Sequence, residues 1–379
     1  LNRSNIYATW RDALPKNLET GVSLHSHTSR SKEIMTFIPR YVSKVPYLSG
    51  RIRRLEKAYH QHHGQEFDYA QVWWNPPLEP KAAFDLERKQ IETKLERPAL
   101  VSLTDHDDIE AGLALQLFAD SAGMPVSTEW TIHLGPTFLH IGVHNVQPAR
   151  ARMLMAAMAR VTAEPEKYSH EEMLDELARD PATLIVLNHP LWDENRVGEA
   201  LHREILVDFL TRCGQYIHAL ELNGLRHWKE NHEVVRLAAE FNLPVLSGGD
   251  RHGCEPNALV NLTNARSFSE FAAEVRNGAP THTVYLDQYR EPWSVRVVEV
   301  MSDVLKDYDE FSEDRRRWSD RVFYRCADGT VKPLSDVWTG NGPSVIGQYV
   351  SLMQLLRFRG IRKCLRMALG EAQPMVPEQ

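Results

Sequence analysis

Short apolar runs alternate along the chain with stretches of helical periodicity. Eight runs, at 21–25, 99–104, 125–129, 137–144, 183–189, 217–222, 243–249 and 258–262, are nearly continuous in Val, Ile and Leu. Continuous apolarity marks strands covered on both faces, as in a parallel sheet, whereas strict alternation marks a half-exposed strand. Between the runs, apolar spacing predicts helices over 109–121, 148–162, 170–179, 199–213, 228–241 and 267–277. Strand–helix alternation of this kind predicts a βα barrel or an open α/β sheet.

Two regions break the rhythm. Residues 30–98 separate the first two strands, and a bare loop of that length is rare, so they predict an ordered insertion and a candidate lid. The insertion holds a basic segment at 51–54, His60, His62 and His63, the pair Trp73-Trp74, and a helix near 81–96. Beyond about residue 290 the pattern predicts a charged helix at 306–321, a hairpin with Asp328-Gly329 in its turn, and a basic amphipathic helix at 351–369. The expected organisation is one α/β unit over 1–290 and a mainly helical extension over 291–379.

Composition narrows the function classes. The formal charge is −7, with 44 basic and 51 acidic residues, which argues against a polynucleotide-binding protein. No apolar run reaches the roughly 18 residues of a membrane helix. The first residues lack a signal-like apolar core, and the four cysteines show no CxxC spacing, so a reduced, cytoplasmic chain is expected. The unusual number is 17 histidines, since imidazole is the commonest metal ligand.

Their position matters more than their number. The strand candidates end in Ser23-Leu-His25-Ser-His27, Thr104-Asp-His-Asp107, Ser127-Thr-Glu129, Leu139-His140, Asn188-His189-Pro190, Glu221-Leu-Asn223-Gly224 and Gly248-Gly-Asp250-Arg-His252. Side chains two apart on a strand share a face, so His25 with His27, and Asp250 with His252, can converge. In α/β barrels ligands gather at the carboxyl ends of strands. A lone HxH or DxH motif, or one histidine on an apolar strand, is usually structural. Here all the pieces are metal-capable and all fall at strand ends. Imidazole and carboxylate donors suit Mn, Zn or Fe.

In this order the motifs His25-Ser-His27, Leu103-Thr-Asp-His-Asp107, Glu129, His140, Asn188-His189-Pro190 and Gly249-Asp250-Arg-His252 resemble the PHP (polymerase and histidinol phosphatase) family over about residues 21–285. The resemblance implies a distorted (β/α)7 TIM-like barrel, two or three divalent metal ions, and hydrolysis of a phosphate ester in a small phosphorylated metabolite or nucleotide. It implies a first ion on His25, His27, Glu129 and Asp250, and a second on Glu129, His140 and His189. A third would sit on His106, His252 and a ligand following the HxH motif. At that last place this chain reads Ser31-Lys32-Glu33, so either Glu33 is the ligand or Lys32 puts a fixed charge there. Ser23 also departs from the family, whose strand carries Asp two residues before the first His.

Two ions about 3.5–4 Å apart can share a hydroxide and neutralise phosphoryl oxygens, and a bridging Glu129 would hold that spacing. Glu129, Asp105 and His106 are the candidate catalytic residues, with Asp105 and Asp107 placed to orient His106 or take protons. Arg226, Arg251, Arg196 and Lys32 are the candidate phosphate-binding cations. The His60–His63 group has the flanks of a solvated helix end, Trp73 and Trp74 of insertion packing, and Cys254 of a small buried residue. The helix bearing Arg357, Arg359, Arg362, Lys363 and Arg366 also presents Leu355, Phe358, Ile361 and Leu365, a surface for docking or homo-oligomer formation.

Two other classes compete. Amidohydrolase-type barrels use a similar centre on C–N or C–O bonds, usually with a carboxylated Lys, and no Lys occurs in these strand-end motifs. A non-catalytic metal-binding PHP module would have lost ligands that this chain keeps.

Overall fold

In the computed structural model the described residues are 4–35, 46–64, 66–118, 120, 123–326, 328–337, 344–355, 358, 360–361 and 367. The strands in chain order are β1 (Ser4–Ala8), β2 (Thr20–Ser23), β3 (Glu33–Ile34), β4 (Val72–Trp74), β5 (Ala99–Val101), β6 (Thr128–Leu134) and β7 (Thr137–His144). They continue with β8 (Leu184–Asn188), β9 (Ala219–Asn223), β10 (Val245–Gly248), β11 (Leu259–Thr263), β12 (Thr281–Tyr285), β13 (Val322–Arg325) and β14 (Val331–Pro333).

These strands form three open sheets, ordered β1-β12-β11-β2-β5, β10-β9-β8-β7-β6 and β14-β13-β4-β3. The expected closed (β/α)7 barrel is therefore not what is found: among the described residues no ladder closes the sheets. Strand direction is the reason. β6 and β7 are an antiparallel hairpin through Gly135, whose φ is 62°, so a hairpin stands where parallel strands were expected. β11 runs antiparallel to both β12 and β2. Unbroken apolar runs report burial on two faces and say nothing about direction.

Two isolated bridges, Ser26 with Arg251 and His106 with Glu129, tie strand ends together beyond the regular ladders. The first two sheets also share a core. Val22 and Leu24 from one pack with Leu184, Val186, Ala219 and Leu246 from the other, beneath Phe268, Phe271 and Val275 of helix Phe268–Arg276. Each such fully buried aliphatic side chain stabilises the fold by about 1.5–3 kcal/mol. Helix Pro148–Ala163 covers the second sheet with Leu154, Met155, Met158 and Val161, a stripe at helical spacing. Trp130 is fully buried against it and donates its indole N–H to the Met158 carbonyl.

The third sheet joins the insertion to the C-terminal part. β4 pairs with β3 on one edge and β13 on the other, and the β13–β14 hairpin turns at Gly329, whose φ is 81°. The charged helix expected at 306–321 is absent. A helix spans Trp293–Val304, turns follow, and one 3-10 turn spans Trp318–Arg321. The buried Arg321 guanidinium collects the carbonyls of Val304, Lys306, Arg315, Arg316 and Arg317, so a cation satisfies acceptors that helical amides would otherwise fill. His60 is exposed on helix Pro46–His63, and the side chains of His62 and His63 lie outside the described residues. So do Arg357, Arg359, Arg362, Lys363, Leu365 and Arg366, beyond helix Ser344–Leu355. No described helix is long and apolar enough to cross a membrane.

Candidate metal centre

The end of β2 meets the end of β10 through the backbone: Asp250 N–H donates to the His25 carbonyl at 2.8 Å, and His27 N–H to the Arg251 carbonyl at 2.9 Å. The end of β5 meets β6 through Glu129 N–H to Asp105 and Asp107 N–H to Glu129, at 3.0 and 2.9 Å. Four residues in these ends and the next, His25, Asp107, His189 and Asp250, take positive φ of 61°, 48°, 24° and 53°. Non-glycine residues rarely adopt that backbone, and such strain persists only where the surroundings enforce it, which is typical of functional sites.

Glu129 is the centre of the group. Its fully buried carboxylate lies 3.1 Å from His25 Nε2, 3.3 Å from His27 Nε2, 3.2 Å from His106 Nδ1, 3.5 Å from His140 Nδ1 and 3.3 Å from His189 Nε2. Asp250 Oδ1 faces His27 Nε2 at 3.5 Å and His25 Nε2 at 3.7 Å, while its Oδ2 receives Asn223 Nδ2 and Arg226 Nη2 at 3.4 and 3.3 Å. Glu33 Oε2 lies 3.3 Å from His106 Nε2 and 3.2 Å from His252 Nε2. Ser31 donates to Glu33 at 2.7 Å and accepts from the His106 amide at 3.1 Å, so a single hydroxyl holds this edge together.

Ligand atoms lie within 4.8 Å of one another in three overlapping sets: His25 with His27 and Glu129; His106 with Glu129 and His140; and His27 with Glu33, His106 and His252. The first two sets share Glu129, and the third shares His27 with the first and His106 with the second. In the second set the atoms meet through His106, with His189 3.4 Å from His140. Glu33 belongs to the third set. Lys32 is exposed, with its ammonium 5.9 Å from the Trp73 ring centre.

The donor set fits a divalent cation. Glu129 Oε2 is buried and accepts no hydrogen bond from the described residues. His25 Nε2 and His27 Nε2 face each other at 3.2 Å, as do His140 Nδ1 and His189 Nε2 at 3.4 Å. A cation between such facing nitrogens can be coordinated by both. Burial, helped by His252, lowers His27 to about 3, so its imidazole is neutral and ready to coordinate. Burial opposes the charge on Glu129, yet the imidazoles of His25, His106 and His140 hold its carboxyl well below the usual range.

Two supporting carboxylates escape a reading of local motifs. Glu221 Oε1 lies 2.5 Å from His25 Nδ1, leaving Nε2 to face the cluster, and its Oε2 accepts the His189 amide at 2.7 Å. Gly248 makes this possible, because a Cβ there would stand 1.7 Å from Glu221 Oε1. Glu87, from insertion helix Pro80–Gln90, is fully buried. It accepts from Ser23 Oγ at 3.0 Å, Ser26 Oγ at 3.3 Å and Arg251 Nε at 2.9 Å. One carboxylate thus ties both ligand-bearing strand ends, and Ser23 hands it a hydrogen bond where the resemblance expected an Asp.

The remaining candidates separate. Arg251 is buried, and besides Glu87 it donates to the carbonyls of Gly253 and His27. Arg196 is exposed on the loop after β8. Arg226 is at the centre, its guanidinium 3.8 Å over the Trp192 ring and its buried Nε without a hydrogen-bond partner among the described residues. Asp105 accepts from the Thr28 amide at 2.5 Å and hydroxyl at 2.8 Å, which positions the HxH segment. Burial raises its carboxyl to about 7 despite those bonds. Trp74 of β4 lies 5.7 Å from the His252 ring, so the insertion borders the centre.

No family model matches the chain, and no curated protein matches it. Among solved structures, an amidohydrolase from Chromobacterium violaceum with bound sulfate and no metal matches at TM-score 0.33 and 18% identity, over 47% of this chain and 83% of that one. A protein from Bifidobacterium adolescentis, described by a proposed metal-dependent phosphoesterase activity, matches at TM-score 0.33 and 14% identity, over 54% of this chain and 92% of that one. Similarity at this level carries no argument about fold or function. What the chain itself presents is an α/β fold whose strand ends gather His and Glu groups suited to divalent metal coordination.

Proposed function

We propose that this chain is a metal-dependent phosphoesterase of the PHP type, acting on a small phosphorylated molecule. The observation that supports it best is Glu129, fully buried and within 3.5 Å of five imidazoles. His25, His27, Glu129 and Asp250 would hold one ion, Glu129, His140 and His189 with His106 a second, and Glu33, His106 and His252 a third. Bound divalent ions supply charge to phosphoryl oxygens and acidify a water at neutral pH. The chain's own residues do the rest. Glu221 and Glu87 orient the imidazoles and strand ends, and Asp105 holds the HxH segment through Thr28. Arg226 offers its unpartnered Nε–H to a phosphoryl oxygen at the rim.

The test is a substrate panel on protein loaded with Mn²⁺: an aryl phosphate, a bis-aryl phosphodiester and an aryl amide. Phosphate release from the monoester, or aryl alcohol release from the diester, is expected. Amide cleavage without either would assign the centre to C–N hydrolysis, and inertness with metal bound would make it a binding module. In His25→Ala, metal and turnover should disappear together, and retained turnover would place the chemistry elsewhere.

A further inference from the structure

A pocket opens beside the histidine cluster on the side of His140 and His189, walled by Phe138, Leu139 and Trp192 and reaching Asn188. Glu194 also lines it, and is the one carboxyl group among the lining residues. Its loop is held firmly. Trp192 N–H donates to the His189 carbonyl at 2.9 Å, and the Asp193 carboxylate accepts the amides of Val197 and Gly198 at 3.0 and 2.8 Å. Glu194 therefore projects from a turn built directly on a ligand-bearing strand end.

Seven other carboxylates near the centre already have partners. Asp105 is bound to Thr28, Asp107 to the Thr131 amide, Glu221 to His25 and His189, and Glu87 to Arg251. Glu33, Glu129 and Asp250 face the imidazoles. An ester whose phosphoryl group lies over the histidines would bring its alcohol oxygen to this pocket, with Glu194 at its side.

We propose that Glu194 is the acid that protonates the departing alcohol oxygen. The inference rests on the phosphoester reading above. In the step, a water-derived hydroxide, its proton already lost to solvent, forms a new P–O bond. The P–O bond to the alcohol breaks, its electron pair goes to the alcohol oxygen, and that oxygen takes the Glu194 proton. Solvent then returns a proton to the carboxylate. The products are a neutral alcohol and inorganic phosphate, with one water consumed. Burial suits Glu194 to the role, raising its carboxyl above the ordinary value against the pull of His106, His189 and Arg226.

The experiment compares wild type with Glu194→Gln on two esters that differ in how much the leaving oxygen needs a proton. Benzyl phosphate releases a basic alkoxide, and p-nitrophenyl phosphate a stabilised phenolate. Metal content by mass spectrometry and inhibition by inorganic phosphate are measured on the same samples. Loss of about 100-fold or more on benzyl phosphate, with less than about fivefold on p-nitrophenyl phosphate, is expected for a missing general acid. Metal content and phosphate inhibition should match wild type. Equal losses on both esters, or loss of metal, would overturn the assignment, since a supporting role affects both substrates alike. If the wild type releases phosphate from neither ester, the phosphoester reading falls and the assignment falls with it. That outcome is separable because it appears before any substitution is made.

Discussion

At the strand ends, five imidazoles surround Glu129. Elsewhere, at the start of helix His170–Ala178 and the end of helix Glu199–Cys213, His170, Glu171 and Cys213 also bring ligand atoms within 4.8 Å of one another. Both groups contain residues that bind metals. Their surroundings differ. Glu171 is ion-paired with Arg212 at 2.8 Å, so a cation already serves that carboxylate. Burial pushes the Cys213 thiol up to about 12, keeping it protonated and apolar in character. At the strand ends only one arginine among the described residues, Arg226, contacts the ligand carboxylates, and imidazole nitrogens face each other at 3.2 and 3.4 Å. Ligand chemistry alone does not separate the two groups; local charge and the facing of the imidazole nitrogens do.

Four measurements sharpen or break this comparison. The largest effect is expected from Asp250→Ala, which removes the carboxylate facing His25 and His27 and should abolish phosphate release. Persistence of turnover would show that the strand-end group is not the working centre. Next comes Glu87→Ala, which leaves Arg251 buried without its partner and should cost about 3–5 kcal/mol in chemical denaturation. A loss under about 1 kcal/mol would show that the insertion helix does not brace the strand ends.

A smaller effect belongs to His218, a member of neither group, whose Nδ1 accepts the Ile185 amide at 2.9 Å. Burial, helped by Arg276, lowers it to about 3. A depressed folded value contributes stability that is present above the ordinary histidine range and is lost as pH falls towards 3. The slope is at most about 1.4 kcal/mol per pH unit. His218→Asn should flatten the stability profile between about pH 6 and 4, and an unchanged slope would contradict the assignment. The smallest effect is expected from Cys213→Ala, which should leave the metal content of the protein unchanged. A fall by one ion would make the second group a metal site and erase the contrast.

Much of the centre was legible in the chain because its ligands come in short motifs. His25-x-His27 and Asp250-x-His252 share a face by strand geometry alone, and their neighbours all sit at the ends of apolar runs. Glu221 was visible only as part of a strand end, since nothing local says that it reaches back to His25. Glu87 was hidden, standing 64 residues from Ser23 in sequence on a helix whose facing is set by tertiary packing. The fold was legible as α/β, with most strands and helices placed within a few residues. Direction was not: the β6–β7 hairpin and the antiparallel β11 depend on turns and partners that apolar runs do not encode. Nor did the pattern foresee the sheet that β13 and β14 share with the insertion, because that pairing joins segments some 250 residues apart.

The central claim is that the strand-end group holds divalent ions through Glu129. Counting metal ions per chain by plasma mass spectrometry, on wild type and Glu129→Ala refolded in Mn²⁺ and then desalted, tests it most directly. The account predicts two or three ions in wild type and a loss of at least two in the variant, with both chains folded by circular dichroism. A metal-free wild type, or a variant with the wild-type count, would contradict it.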